Sequence, residues 1–253
     1  MHLPLTRIQR LIGQRMLKSK LTKPCFYIES KADVTDLMAL RPGLSKSLGA
    51  KITSNAFLIR ALALAAKKYP VVVGSLVPCD SEAKSRVKHK TNPAINCGAK
   101  YLACGSTAGS QIKIADAINV GFPVHAPQGL VVPVIKDADR KTLVEIAQLE
   151  KVLTEKSRSN SLTFEEMQGQ TIGLSNLGVY GIDSFLAIPA LVASTILAVG
   201  NVIRTVVPHN GEPTVCKMMS LSLAVDGIVL DEVYAAKFLN LIIEQLQNPQ
   251  QLT

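Results

Sequence analysis

The chain has 253 residues, 47% of them hydrophobic and 19% charged, which supplies apolar material for one large folded domain and excludes a disordered chain. A net charge of +9 would suit nucleic acid, anionic surfaces or acidic proteins, but no Trp, five Tyr and six Phe leave few platforms for stacked single-stranded bases. The longest apolar run, Ala187–Gly200, is broken by Pro189 and carries Ser194 and Thr195, so it reads as a buried strand or subunit interface and not as a membrane span.

Ile8, Leu11, Ile12, Met16 and Leu17 recur at three- and four-residue spacing and predict an amphipathic helix from about Pro4 to Lys20. Arg7, Arg10, Arg15, Lys18 and Lys20 form its polar face. Met1 leads straight into this pattern without a signal peptide, as expected of a piece of a longer precursor. After Pro24, alternation of Phe26, Ile28, Ser30 and Ala32 with Tyr27, Glu29, Lys31 and Asp33 predicts a strand. Thr35 is expected to cap a short helix ending at Arg41, and Thr53 or Ser54 to cap a buried helix apolar on most sides from Phe57 to Tyr69. Val71–Val77 reads as a buried strand.

Residues 78–113 break this rhythm and read as a long surface insertion, with a hairpin of its own. Its run Lys84, Arg86, Lys88 and Lys90 reads as a solvated loop or a partner contact, with no nucleic acid as ligand. Two strands, Ala117–His125 and Gly129–Ile135, then meet through a Pro-Gln-Gly turn. A helix follows at Lys141–Arg158, and Thr163 with Glu166 has the spacing of a capping box. Strands are predicted at Thr171–Leu177, Thr195–Val199, Val202–Val207 and Val215–Val225, and a closing helix at Glu232–Gln247 with Asp231 as N-cap. The fold class is α/β, one domain over residues 1–253 built as a two-layer sandwich with a mixed sheet.

Five cysteines (Cys25, Cys79, Cys97, Cys104 and Cys216) include no spacing completed by a histidine pair, which predicts free thiols and no metal site. His89, His125 and His209 have no sequence neighbour that would orient an imidazole for catalysis.

Several segments resemble the dihydrolipoamide acyltransferases, the core subunits of 2-oxo-acid dehydrogenase complexes. They are Ile12-Gly-Gln-Arg-Met, Pro24-Cys-Phe-Tyr, Asp33-Val-Thr-Asp-Leu, Lys51-Ile-Thr-Ser-Asn, Gln128-Gly-Leu-Val-Val-Pro-Val-Ile-Lys-Asp-Ala-Asp, Gly173-Leu-Ser-Asn-Leu-Gly-Val-Tyr-Gly-Ile-Asp-Ser-Phe and Ile196-Leu-Ala-Val-Gly. They follow the family's order and span nearly the whole chain outside residues 78–113. The resemblance implies a coenzyme A-dependent acyltransferase-like fold of the chloramphenicol acetyltransferase type, assembly as a homotrimer, and coenzyme A and lipoamide as the family's ligands.

The departures carry the functional expectation. Residues 226–232 read Asp-Gly-Ile-Val-Leu-Asp-Glu where the family has Asp-His-Arg-Val-Val-Asp-Gly. The family's His is the base that takes the thiol proton, and its Ser or Thr before Asn-Leu-Gly donates to the oxyanion. Carried over, Ser175 stands in the donor position, Gly227 in that of the base, and Asp226 and Asp231 match the family's carboxylates. Gly227 accepts no proton, and an Asp of ordinary pKa is a poor base for a thiol. Cys25 and Ala56 depart from the family's frequent His and Asp. Catalytic residues are therefore none, and no cofactor is expected in this domain.

The resemblance is nearest to the family's non-catalytic members. These assemble with the acetyltransferase core of the pyruvate dehydrogenase complex in the mitochondrial matrix. They bind dihydrolipoamide dehydrogenase through regions outside these residues. The other reading is an active acyltransferase with a substitute base, drawn from His89, His125 or His209.

Overall fold

A six-stranded mixed sheet carries the architecture, in the order β1 (Cys25–Asp33), β10 (Glu212–Asp226), β9 (Thr195–His209), β8 (Ile172–Asn176), β4 (Val120–Gly121) and β7 (Val134–Ile135). The structure is a computed structural model that describes residue 4 and residues 7–78, 110–127, 129–209 and 211–253. The central strands are β1 (Cys25–Asp33), β8 (Ile172–Asn176), β9 (Thr195–His209) and β10 (Glu212–Asp226). β4 (Val120–Gly121) runs parallel to β8, and β8 parallel to β9, while the other neighbours are antiparallel. Alternation sorts the two faces. Ile172, Leu174, Leu197, Val199, Leu221, Leu223 and Val225 point into the core, against α3 (Ser54–Lys68) and α5 (Glu232–Gln247). Ser175, Ala198, Ser222, Ala224 and Asp226 therefore occupy the opposite face.

Local chemistry explains the helices. Thr53 accepts from the Ala56 amide and caps α3, whose Phe57, Leu58, Ile59 and Leu62 side chains are fully buried. α4 (Leu143–Arg158) opens on a complete capping box between Thr142 and Glu145. The predicted box at Thr163 and Glu166 also forms, with both reciprocal bonds, but starts only a one-turn 3-10 segment. Asp231 caps α5 through the Tyr234 amide at 2.7 Å. Asp231→Ala is expected to lower stability by about 1 kcal/mol, read from urea midpoints at constant slope; an unchanged midpoint would deny the cap its role.

Several boundaries differ from expectation. The first helix, α1 (Arg7–Thr22), exposes Leu17 (60%) and Leu21 (76%), so among the described residues its apolar stripe is only partly covered. α2 (Thr35–Ser47) does not end at Arg41 but passes through Pro42. Met38 and Leu44 pack on the core, and Ser45 accepts from the Ile52 amide, which offsets the N–H bond that proline forfeits. Nor does Thr35 cap α2. It is the first helical residue, and its amide and hydroxyl both donate to Asp33.

Val71–Val77 is not one strand. A 3-10 turn at Pro70–Val73 precedes β2 (Gly74–Pro78), which pairs with β3 (Ser110–Ile114). This pair brackets the expected insertion, whose residues 79–109, His89 among them, lie outside the described residues. The two strands predicted over 117–135 are four short ones, β4, β5 (Val124–Ala126), β6 (Gly129–Val131) and β7 (Val134–Ile135). The break expected near Gly200 is absent, since β9 is continuous. Glycine is needed there for close approach: a β-carbon would lie 1.9 Å from the Asp183 carbonyl oxygen.

Only part of Ala187–Gly200 is a buried strand. Its first half is irregular, with Val192 64% exposed, and only Thr195 onward joins the sheet centre. Among the described residues no helix is long and apolar enough to cross a membrane, and no cluster of ligating side chains could hold a metal.

Candidate acyl-transfer site

Gly227 follows the last residue of β10 and is pinned against the start of β1. Its amide donates to the Pro24 carbonyl at 3.1 Å, while Asp226 pairs with Cys25. A β-carbon at 227 would stand 2.9 Å from that same Pro24 oxygen, nearer than real β-carbons come. A side chain at this position would require the backbone at Pro24 to shift, and the position lacks a base. Ile228 then bonds back to the Asp226 side chain through its amide at 3.1 Å, completing a tight turn into the Asp231 cap.

Beside this turn lies a cleft of about 500 Å³ lined by Lys23, Ser75, Val192, Ser194, Asp226 and Ile228, together with Thr22 and two leucines. Lys23 donates to the carbonyls of Ala190 (2.7 Å) and Ala193 (2.6 Å), and the buried Ser19 hydroxyl, one turn earlier, to that of Pro189 (2.7 Å). The end of α1 so clamps the irregular segment before β9. Asp226 is buried, 4% exposed, and burial raises its carboxyl pKa against the smaller pull of the Ile228 amide and Lys23. The carboxylate expected to be ordinary is therefore not. Burial likewise raises the Cys25 thiol, and Asp226 adds to it, so this half-buried cysteine is a poor nucleophile. Burial lowers Lys23, opposed by Asp226.

Ser175 sits near the C-terminal end of β8, half-buried, and among the described residues its hydroxyl makes no hydrogen bond. A polar chain fixes the turn after it. The Gly178 amide donates to Asn176 Oδ1 at 2.9 Å, and Asn176 Nδ2 to Asn55 Oδ1 at 2.7 Å. Asn55 and Thr53 in turn bond the buried carboxyl of Glu150 on α4. Sequence reading missed this network because Glu150 sits in a helical stripe without any local sign of its partners.

One chain does not bring Ser175 and Gly227 together. Ser175 is level with Ala198, and Ala198 with Ser222, five residues short of Gly227 on the second strand over. Two strand spacings of ~4.8 Å and five residues at ~3.3 Å each separate them by roughly 19 Å. His125 is exposed in β5, and the side chain of His209 lies outside the described residues.

Burial raises the Glu150 carboxyl against the lowering bonds from Thr53 and Asn55. With Asp226 raised as well, the sign of the pH dependence follows. Below the ordinary carboxylate range both groups are protonated in either state. As pH rises through that range the unfolded chain ionises first, so stability falls until the raised folded values are passed. Glu150→Gln is expected to flatten this fall in melting temperature against pH; an identical slope in the variant would remove Glu150 as a cause.

The family described as 2-oxoacid dehydrogenases acyltransferase (catalytic domain) matches residues 1–100 and 90–253. The chain belongs to this family. It is 31% identical over 250 residues to the dihydrolipoyllysine-residue acetyltransferase component of the pyruvate dehydrogenase complex of Rickettsia bellii (strain RML369-C), covering 97% of this chain and 52% of the relative. It is also 31% identical over 255 residues to the mitochondrial pyruvate dehydrogenase protein X component of Mus musculus, covering 99% of this chain and 44% of the relative. The chain thus spans about half the length of the curated relatives it matches.

Among solved structures, the dihydrolipoamide acetyltransferase of Azotobacter vinelandii, studied for the role of a serine, a histidine and an asparagine in its catalytic mechanism, superposes with a TM-score of 0.84 at 27% identity. The match covers 100% of this chain and 93% of that one. The mixed sheet with one helical layer is the acyltransferase-core fold expected from the sequence.

Proposed function

We propose that this acyltransferase-family chain is a non-catalytic core subunit of the protein X kind, serving a pyruvate dehydrogenase complex. The carrying observation is position 227: no base stands there, and a side chain would require the Pro24 backbone to shift. The histidine and asparagine named for the Azotobacter enzyme share the spacing of Gly227 and Asp231, and its serine finds a counterpart in Ser175. Of that set this chain keeps the hydroxyl and loses the imidazole. Asp231 is engaged as a helix cap.

The partner is the dihydrolipoamide acetyltransferase core, joined in homotrimers or mixed trimers. Support comes from similarity to both an acetyltransferase component and a protein X component, and from Leu11, Leu17 and Leu21 of α1, which stay exposed among the described residues. Dihydrolipoamide dehydrogenase would be recruited by regions outside these residues. The mouse relative supports the mitochondrial matrix as the compartment. Coenzyme A and lipoamide remain ligands of the catalytic partners, and this domain holds no cofactor of its own.

Co-sedimentation with a family acetyltransferase core tests the assignment. A stable mixed particle in low micromolar protein is expected; two separate boundaries would contradict it.

The second reading, an active transferase with a substitute base, is favoured by one observation: Asp226 has a raised pKa and lines a cleft. Against it, the Asp226 carboxylate is bonded to the Ile228 amide and faces Lys23. Neither the attacking sulfur nor a thioester gains a proton path by that arrangement.

A further inference from the structure

α1 is the least supported helix of this chain. Among the described residues it packs broadly on no other helix or strand. Only its C-terminal end is tied down, by the Ser19 hydroxyl on the Pro189 carbonyl and by Lys23, just beyond it, on the carbonyls of Ala190 and Ala193. A 16-residue helix left largely to itself is marginal in water, and Gly13 near its middle weakens it further. Its charges add to the problem. The sequence of α1 holds five Lys or Arg and no Asp or Glu, so no ion pair within the helix is available, and Arg15 and Lys18, three residues apart, repel. Among the described residues Arg10, Arg15, Lys18 and Lys20 take part in no ion pair with the rest of the chain.

The two faces of α1 differ. At about 100° per residue, Ile12, Met16 and Ser19 form the inward row, half-buried or buried. The outward half carries two rows, Arg10-Leu17-Leu21 and Leu11-Arg15-Lys18, and all six side chains are exposed. Each row interleaves leucine with cation. A bare apolar stripe would fit any apolar surface; this one requires apolar hollows with carboxylates between them. A chain of net charge +9 is a poor source of such a surface, which argues against a second copy as the occupant.

We infer that the outward face of α1 docks in an acidic, apolar-floored groove on a neighbouring acetyltransferase subunit. This rests on the mixed assembly proposed above. Leu11, Leu17 and Leu21 seat on the groove floor, and Arg10, Arg15 and Lys18 meet carboxylates at its rim. Anions supplied by the partner relieve the repulsion within α1 and hold it helical. The contact therefore favours mixed particles over particles of this chain alone.

Co-sedimentation of the full chain with a family acetyltransferase core, over a range of salt, tests the inference. Two double variants are compared with the unaltered chain, Arg15→Glu with Lys18→Glu and Leu17→Gln with Leu21→Gln. All four side chains are exposed, so both variants are expected to keep the melting temperature of the unaltered chain. Each is expected to weaken assembly about tenfold, and the salt dependence of the unaltered chain to vanish in the charge-reversed one. Undiminished co-sedimentation of either variant overturns the inference and leaves the scaffold assignment standing. Binding to vesicles of phosphatidylcholine and phosphatidylglycerol that both variants lose, with core co-sedimentation unchanged, also overturns it and assigns the face to a lipid surface. Failure of the unaltered chain to co-sediment overturns the scaffold assignment and this inference together.

Discussion

Gly200→Ala is expected to destabilise the fold by about 3 kcal/mol and to displace the end of β8 that carries Ser175. The added β-carbon would lie 1.9 Å from the Asp183 oxygen and 2.7 Å from its carbonyl carbon, so the backbone of the 177–183 turn must move. That turn is held to β9 by two bonds, Leu177 amide to Val199 oxygen at 3.1 Å and Asn201 amide to Ile182 oxygen at 2.7 Å. Gly178 faces the same contact from the other side, where a β-carbon would be 2.3 Å from the Gly200 oxygen. Neither side can yield without losing the other's bonds, which places this substitution at the costly end of overpacking. Thermal melting of the purified variant checks it; a loss below about 0.5 kcal/mol, the range of an ordinary surface change, would show that the turn is free to shift.

Gly227→His is expected to restore no transfer activity and to cost about 1–3 kcal/mol. A correctly placed general base contributes ~10²–10⁴-fold, so restoring the residue type alone would raise the rate by that factor if geometry were preserved. It is not preserved: the Pro24 oxygen stands 2.9 Å from the required β-carbon and already accepts the Gly227 amide. The imidazole would have to displace the start of β1. The variant is assayed as an assembled particle, since within one chain the Ser175 hydroxyl lies roughly 19 Å from position 227. A gain of 10²-fold or more would mean that the backbone still holds a catalytic frame.

Much of this was legible in the sequence because it is local. Asp231 before an apolar-striped helix, Thr142 with Glu145, and the alternation along Phe26–Asp33 each fix a cap or a strand from a few neighbouring residues. The family's order of motifs likewise placed Ser175 and Gly227 at the ends of β8 and β10. What stayed hidden depends on contacts distant in sequence. Nothing in the sequence around Lys23 shows that it bonds carbonyls about 170 residues away. Asp226 reads as an ordinary carboxylate until Lys23 and the irregular segment bury it. The continuity of β9 through Gly200 is dictated by the approach of Asp183, and the extension of α2 past Pro42 by its anchoring to Ile52. In each case a tertiary contact overrides the local signal.

The most direct measurement is acyl transfer from acetyl-coenzyme A to dihydrolipoamide by the assembled chain alone, with Asp226→Asn and His125→Ala variants beside it. Turnover at the uncatalysed background in a folded oligomer is expected for all three. Saturable turnover that Asp226→Asn or His125→Ala extinguishes would contradict the loss of catalysis at position 227.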